Sequence, residues 1–154
     1  MSRSEKVELT AMCMVWRGDE ILVQDRVKED WRGVAFPGGH IERGESFVEG
    51  IRREMREETG LDVRGLKLCG IKQFPTQEGE RYVVLLFKAS EFEGELHSSD
   101  EGRVRWIKRA DLAAEKTVDD FDQLLHVMDE EEWNEMLYER REQFGKEDWL
   151  LTLH

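Results

Sequence analysis

Cysteine is scarce in this chain. The two present, Cys13 and Cys69, lie far apart and each sits inside an apolar run. That excludes a disulfide framework or a thiol-rich metal site, and both read as small buried hydrophobes kept reduced. Long hydrophobic runs are lacking as well, since no stretch approaches the roughly 20 apolar residues that span a bilayer. Met1 to Val7 is short and polar, and the first apolar run, Ala11–Trp16, is strand-length and stops at Arg17. Neither a signal peptide nor a membrane association is expected, and the expected compartment is a reducing cytoplasm.

Positive charge is the third shortage. Lys and Arg total 23 against 35 Asp and Glu, which leaves a formal net charge of −12. Such a field repels nucleic acid and anionic lipid, both of which need clustered Lys and Arg. An acidic protein still takes a polyphosphate when divalent cations bridge the two. The 154 residues suit one compact domain with a core of its own, and no repeat or linker marks a second.

What is present reads as an α/β chain. Val7–Trp16 and Glu20–Arg26 are β-branched stretches around Arg17-Gly18-Asp19 and predict a hairpin. Trp31–Gly39 is tightly turned, with Gly33, Pro37, Gly38 and Gly39. Ser46–Thr59 is the clearest helix, with Ser46 as N-cap, Glu49 three residues on and Gly60 as its stop. Strands are expected at Leu66–Phe74, Arg81–Ser90 and Arg103–Lys108. Ala110–Ala114 reads as a short helical turn and Thr117–Asp129 as a helix. Trp133, Met136, Leu137 and Phe144 recur at helical spacing, so a last amphipathic helix is expected over Glu130–Phe144, within a helical extension at about 130–154. Trp149, Leu150, Leu151 and Leu153 suggest a tail docked on the body.

The helix after Ser46 carries the chemistry. On a helical wheel Phe47, Val48, Ile51 and Met55 share one arc of about 100° and make the buried face. Glu54, Glu57 and Glu58 share a bordering arc, while Glu49, Arg52 and Arg56 lie opposite, in water. Three carboxylates at i, i+3 and i+4 repel by a few tenths of a kcal/mol per pair. A hard divalent cation removes that repulsion, because Mg²⁺ wants oxygen ligands and leaves positions open for phosphate oxygens. The same acids would also suit a solvated face in which Arg52, Arg53 and Arg56 pair with them. Pro37-Gly38-Gly39 brings backbone close to this helix, where the Gly39 carbonyl could complete a metal shell. Glu45 stands at the helix start, a place the helix dipole favours for a carboxylate.

Gly39 to Leu61 resembles the Nudix signature, Gly-x5-Glu-x7-Arg-Glu-apolar-x-Glu-Glu-x-Gly-apolar. It meets every fixed position, at Gly39, Glu45, Arg53, Glu54, Met55, Glu57, Glu58, Gly60 and Leu61. The resemblance extends over about Val7 to Met128. It implies an α/β/α sandwich with a mixed sheet, and hydrolysis of nucleoside diphosphates linked to another moiety. It also implies Mg²⁺, with Mn²⁺ as a substitute, held by Glu54, Glu57, Glu58 and the Gly39 carbonyl. Arg53 would orient the glutamates, and Glu45 would be a secondary metal-site or orienting residue. Glu57, Glu58 or Glu101, the last in the loop before the Trp106 strand, would take the proton of the attacking water.

Further residues enter through the same resemblance, each with an ordinary structural alternative. Arg26, at a strand end, matches a phosphate-binding arginine of MutT-like members, and Asp119 and Asp120 fall where such enzymes read the base edge. Trp31, Phe36 and Phe74 could stack a base, although buried aromatics are commoner than stacking platforms. The pattern is most similar to MutT-type enzymes that convert 8-oxo-dGTP or other nucleoside triphosphates to monophosphate and pyrophosphate. ADP-ribose pyrophosphatases are the runner-up; they carry a proline about 15 residues beyond the signature, and Pro75 falls just short of that spacing. A non-catalytic nucleotide sensor usually loses one of the glutamates, and an RNA-end hydrolase would want a basic groove. The expected partner is a small nucleotide, with the chain a monomer or homodimer.

Overall fold

A tight turn at Gly18-Asp19 folds β1 (Val7–Arg17) back onto β2 (Glu20–Arg26), with Arg17 opposite Glu20, as the sequence predicts. The computed structural model describes residues 2–143 and 146–154. A 3₁₀ turn at Glu29–Trp31 leads to two short strands, β3 (Gly33–Ala35) and β4 (Gly38–His40). Then come α1 (Phe47–Thr59), β5 (Asp62–Arg64), β6 (Lys67–Pro75), β7 (Arg81–Ala89), β8 (Glu91–Glu93) and β9 (Gly102–Lys108). A second 3₁₀ turn, Arg109–Ala114, precedes α2 (Phe121–Asp129), and the chain finishes with β10 (Glu135–Gln143) and β11 (Lys146–Leu153).

The main sheet runs β11-β10-β6-β7-β1-β2-β3, with β4 also on β1 and β9 also on β2. It is mixed: β1 lies parallel to β7 and β10 parallel to β6, while the other pairs are antiparallel. Successive side chains of a strand face opposite ways, so the sheet feeds two cores. Met12, Met14, Ile21, Val23, Val84 and Leu86 pack with Phe121, Leu124, Val127 and Met128 of α2. Ala11, Cys13, Val15, Leu22, Leu85 and Phe87 pack with Ile51 and Met55 of α1. A helix on each face makes the α/β/α sandwich. Complete burial of Ile51 and Met55 contributes about 1.5–3 kcal/mol each. No helix among the described residues is long and apolar enough to cross a membrane.

Helix α1 has the caps its sequence predicts. Ser46 Oγ accepts from the Glu49 amide, and Gly60 closes the helix in the left-handed conformation at φ 78°. The reciprocal arm of the capping box is not made, since Glu49 pairs with Arg52 instead. The buried face is also narrower than expected: Phe47 and Val48 are exposed at 47% and 43%. The first turn meets the loop before it through Gly50, which lies against Ile41 and Glu45.

Two further expectations are corrected. Helix α2 begins at Phe121, not Thr117, because Thr117 is taken up by a bridge to Val34 in β3. The helix expected over Glu130–Phe144, and the helical extension at 130–154 with it, is instead the β10–β11 hairpin. Trp133, Met136 and Leu137 fit a helical stripe by spacing alone. Strand β6 offers an edge that needs a partner, and β10 takes it with Glu135 opposite Ile71 and Met136 fully buried. Phe144 lies outside the described residues. The expected docked tail is the strand β11.

Candidate active site

The bordering arc of α1 does face a cavity. A cleft of about 750 Å³ is lined by Gly38, Gly39, Glu54, Glu57, Glu58 and Glu101 on its acidic part. Elsewhere the lining includes the aromatics Trp31, Phe36, Phe74 and Tyr82 and the basic Arg26, Lys28 and Lys72, with Asp30 among them.

Each glutamate has a different setting. Glu54 is 9% exposed, and burial raises its carboxyl pKa although Arg53 beside it pulls the other way. Its neighbours Glu57 and Glu58 add to the upward push. Glu58 is 8% exposed, and its Oε2 accepts from Gln24 Nε2 at 3.0 Å and from Ser99 Oγ at 2.6 Å. Glu57 is largely exposed and accepts from Arg53 at 3.2 Å.

Arg53 organises the group. Its Nε and Nη2 donate to Glu45 at 2.8 and 3.0 Å, Nη1 to Glu54 and Glu57, and Nη2 to the His40 carbonyl. The bonds to Glu45 are the main reason the Arg53 pKa is raised. They hold the Glu45 carboxyl down to about 2, from an ordinary 4.5, with help from the Glu42 amide. Glu45 therefore holds Arg53, and Arg53 holds Glu54 and Glu57.

The expected approach of backbone to this helix is present. Gly39 pairs with Ala11 across β1 and β4, and a Cβ at position 39 would sit on the Glu54 carboxylate and displace it. Its carbonyl, within that ladder, keeps a second lone pair.

Among the described residues no three carboxylates, imidazoles or thiols converge as a ready-made metal cage. Arg53, Gln24 and Ser99 hold the three glutamates apart instead. The donor set is nonetheless all hard oxygen. Two nearly buried carboxylates and a third on one cleft wall, with a single arginine between them, suit a hard divalent cation.

Glu101 reaches the cleft because its loop is tied down. Ser99 Oγ both donates to Glu58 and accepts from the Glu101 amide, while Lys28 pairs with the Glu101 carboxylate at 3.0 Å. Arg26 lies 4.8 Å above the Trp31 ring and donates to the Trp31 carbonyl. Phe74 stacks on Tyr82 at 4.6 Å, and Phe36 on Phe121 at 4.8 Å. The two adjacent acids separate: Asp119 is exposed and off the cleft, whereas Asp120 is 3% exposed, paired with Lys72 and bonded by the Tyr138 hydroxyl at 2.8 Å.

Gln24, Ser99, Lys28, Lys72 and Tyr138 are not picked out by reading the sequence. Lys72 does leave a trace, as a charge inside the run Leu68–Phe74, and Gln24 directly follows the apolar run Ile21–Val23. Ser99, Lys28 and Tyr138 leave none, since their roles exist only once distant segments meet.

A model of the NUDIX domain matches residues 6–127, and the chain belongs to the Nudix family. Members of that family act on the diphosphate bonds of nucleotides. The chain is similar to an oxidized purine nucleoside triphosphate hydrolase of Danio rerio, with 40% identity over 78 residues, 50% of this chain and 48% of that protein. It is also similar to an ADP-ribose pyrophosphatase of Methanocaldococcus jannaschii, at 30% over 92 residues, 58% of this chain and 54% of that one. The chain thus spans about half the length of these curated relatives. The crystal structure of the mutator MutT protein from Bacillus halodurans matches with a TM-score of 0.72 at 27% identity, covering 94% of this chain and 97% of that one.

Proposed function

We propose that this chain is a Mg²⁺-dependent pyrophosphohydrolase that converts nucleoside triphosphates, oxidised ones such as 8-oxo-dGTP among them, to monophosphate and pyrophosphate. The observation that carries the reading is one cleft with two chemistries, three glutamates of α1 on one part and aromatic walls on the other. The first suits a metal-bound diphosphate and the second a flat base. The likeness to an oxidized purine nucleoside triphosphate hydrolase supports the choice of substrate.

Glu54, Glu57, Glu58 and the Gly39 carbonyl would hold Mg²⁺, or Mn²⁺ in its place. When bound, the metal neutralises the diphosphate and acidifies a water. Arg53 keeps Glu54 and Glu57 oriented. Glu57, Glu58 or Glu101 accepts the proton of the attacking water. Gln24 and Ser99 fix the direction of the Glu58 carboxylate, because both donate to its Oε2. Arg26 and Lys28 supply positive charge for phosphate oxygens, and Asp120, set back behind Lys72, acts on the base through that lysine. We place the protein in the cytoplasm as a monomer or homodimer acting on small nucleotides.

A second reading, an ADP-ribose or related nucleoside-diphosphate pyrophosphatase, rests on the archaeal relative. The test is product release with Mg²⁺ and with EDTA across 8-oxo-dGTP, ordinary NTPs and dNTPs, ADP-ribose, NADH and dinucleoside polyphosphates. Pyrophosphate from triphosphates, lost in EDTA, is expected. Preference for ADP-ribose would move the substrate class. No turnover by a folded protein that still binds nucleotide would point to a sensor.

A further inference from the structure

We propose that Lys72 sets base preference, selecting 6-oxopurines over 6-aminopurines. The inference rests on the nucleotide-hydrolase reading and names the part of the substrate recognised in the aromatic part of the cleft.

Lys72 interrupts the apolar run of β6, and its side chain is only 9% exposed. A buried ammonium needs partners. Its Nζ donates to Asp120 Oδ2 and lies 4.7, 5.4 and 5.9 Å from the ring centroids of Trp31, Tyr138 and Phe74. An ammonium has three N–H groups. Asp120 takes one, and among the described residues no second hydrogen-bond acceptor meets Lys72. Lys72 also lines the cleft with Trp31, Phe36, Phe74 and Tyr82.

A donor-only cation among flat apolar walls fits a heterocycle whose edge offers acceptors. A 6-oxopurine presents O6 beside N7, the pair that lysine bonds in base recognition. Adenine places an amino donor where O6 would be, so it aims a hydrogen at the cation. A phosphate is the other group an ammonium attracts, and Arg26 stands over the same Trp31 ring, but the Asp120 carboxylate paired with Lys72 repels an anion and not a neutral acceptor. Asp120 and the Tyr138 hydroxyl fix the lysine from behind, tying β6 to α2 and β10. A purely structural role for that tie makes a different forecast: lower thermal stability in variants, with base preference untouched.

The test is calorimetric affinity for dIMP and dAMP, which differ at the 6-position and require no turnover. Wild-type protein is expected to bind dIMP about tenfold or more tightly than dAMP. Lys72→Met should bring that ratio close to one; if it does not fold, Lys72→Met/Asp120→Asn, which removes the charge left without its partner, is measured in its place with the same expectation. Equal wild-type affinities overturn the proposal, as does a ratio that survives in either folded variant. Hydrolysis is followed separately. Mg²⁺-dependent turnover with a ratio near one sinks only the role of Lys72, while the absence of turnover sinks the enzymatic reading and leaves the ratio to be judged by itself.

Discussion

Gln24 Nε2 donates to Glu58 Oε2 at 3.0 Å, across the layer between β2 and α1 and 34 residues apart in the chain. Gln24 is 2% exposed, so this amide has no water to fall back on. A fully buried donor aimed at a carboxylate fixes the direction of Glu58. Replacement by Leu removes the donor at similar volume. A hydrogen bond to a charged group is worth about 1.5–3 kcal/mol, so Gln24→Leu should lower kcat/KM at least about tenfold. Steady-state kinetics on the folded variant check this, and wild-type values would mean that Glu58 needs no such anchor.

Glu57→Gln and Glu58→Gln should each lose turnover by about 100-fold or more while circular dichroism and the thermal midpoint stay close to wild type. Glu57 is mostly exposed and Glu58 sits at the cleft wall, so neither amide disrupts the core. Wild-type rates in both variants would remove the assignment of these residues.

Gly39→Ala places a methyl group on the Glu54 carboxylate. The carboxylate must swing away, which should raise the Mg²⁺ concentration for half-maximal activity about tenfold or more. A metal-activation curve reads this directly, and an unshifted curve would show that Glu54 tolerates displacement.

Glu45 titrates at about 2 in the folded protein against 4.5 ordinarily, because Arg53 bonds its ionised form. Its folded pKa is depressed, so the stability it contributes is full above about 4.5 and is lost as pH falls toward 2. Denaturant midpoints of wild type should therefore drop more steeply across that window than those of Glu45→Gln. Parallel slopes would contradict the pairing.

The parts of this molecule legible in the sequence are those specified locally. The β1–β2 hairpin follows from two apolar, β-branched stretches around Arg17-Gly18-Asp19, and α1 follows from Ser46, its apolar spacing and Gly60. The wheel placed Glu54, Glu57 and Glu58 together beside the core; Glu54 and Glu58 are nearly buried there, while Glu57 is largely exposed. What escaped depends on tertiary partners. Met136 and Leu137 satisfy a helical spacing, yet the open edge of β6 draws them into a strand. Phe47 and Val48 lie on the apolar arc but stay exposed in the first turn of α1. Gln24, Ser99 and Lys72 gain their meaning from partners 34, 41 and 48 residues away.

The most direct test of the central claim, that Glu54, Glu57 and Glu58 form a metal-binding wall, is Mn²⁺ binding followed by electron paramagnetic resonance in the presence of a non-hydrolysable nucleotide. Wild-type protein should bind the ion, and Glu54→Gln, Glu57→Gln and Glu58→Gln should each weaken it about tenfold or more while remaining folded. Undiminished Mn²⁺ binding in all three variants would contradict the account.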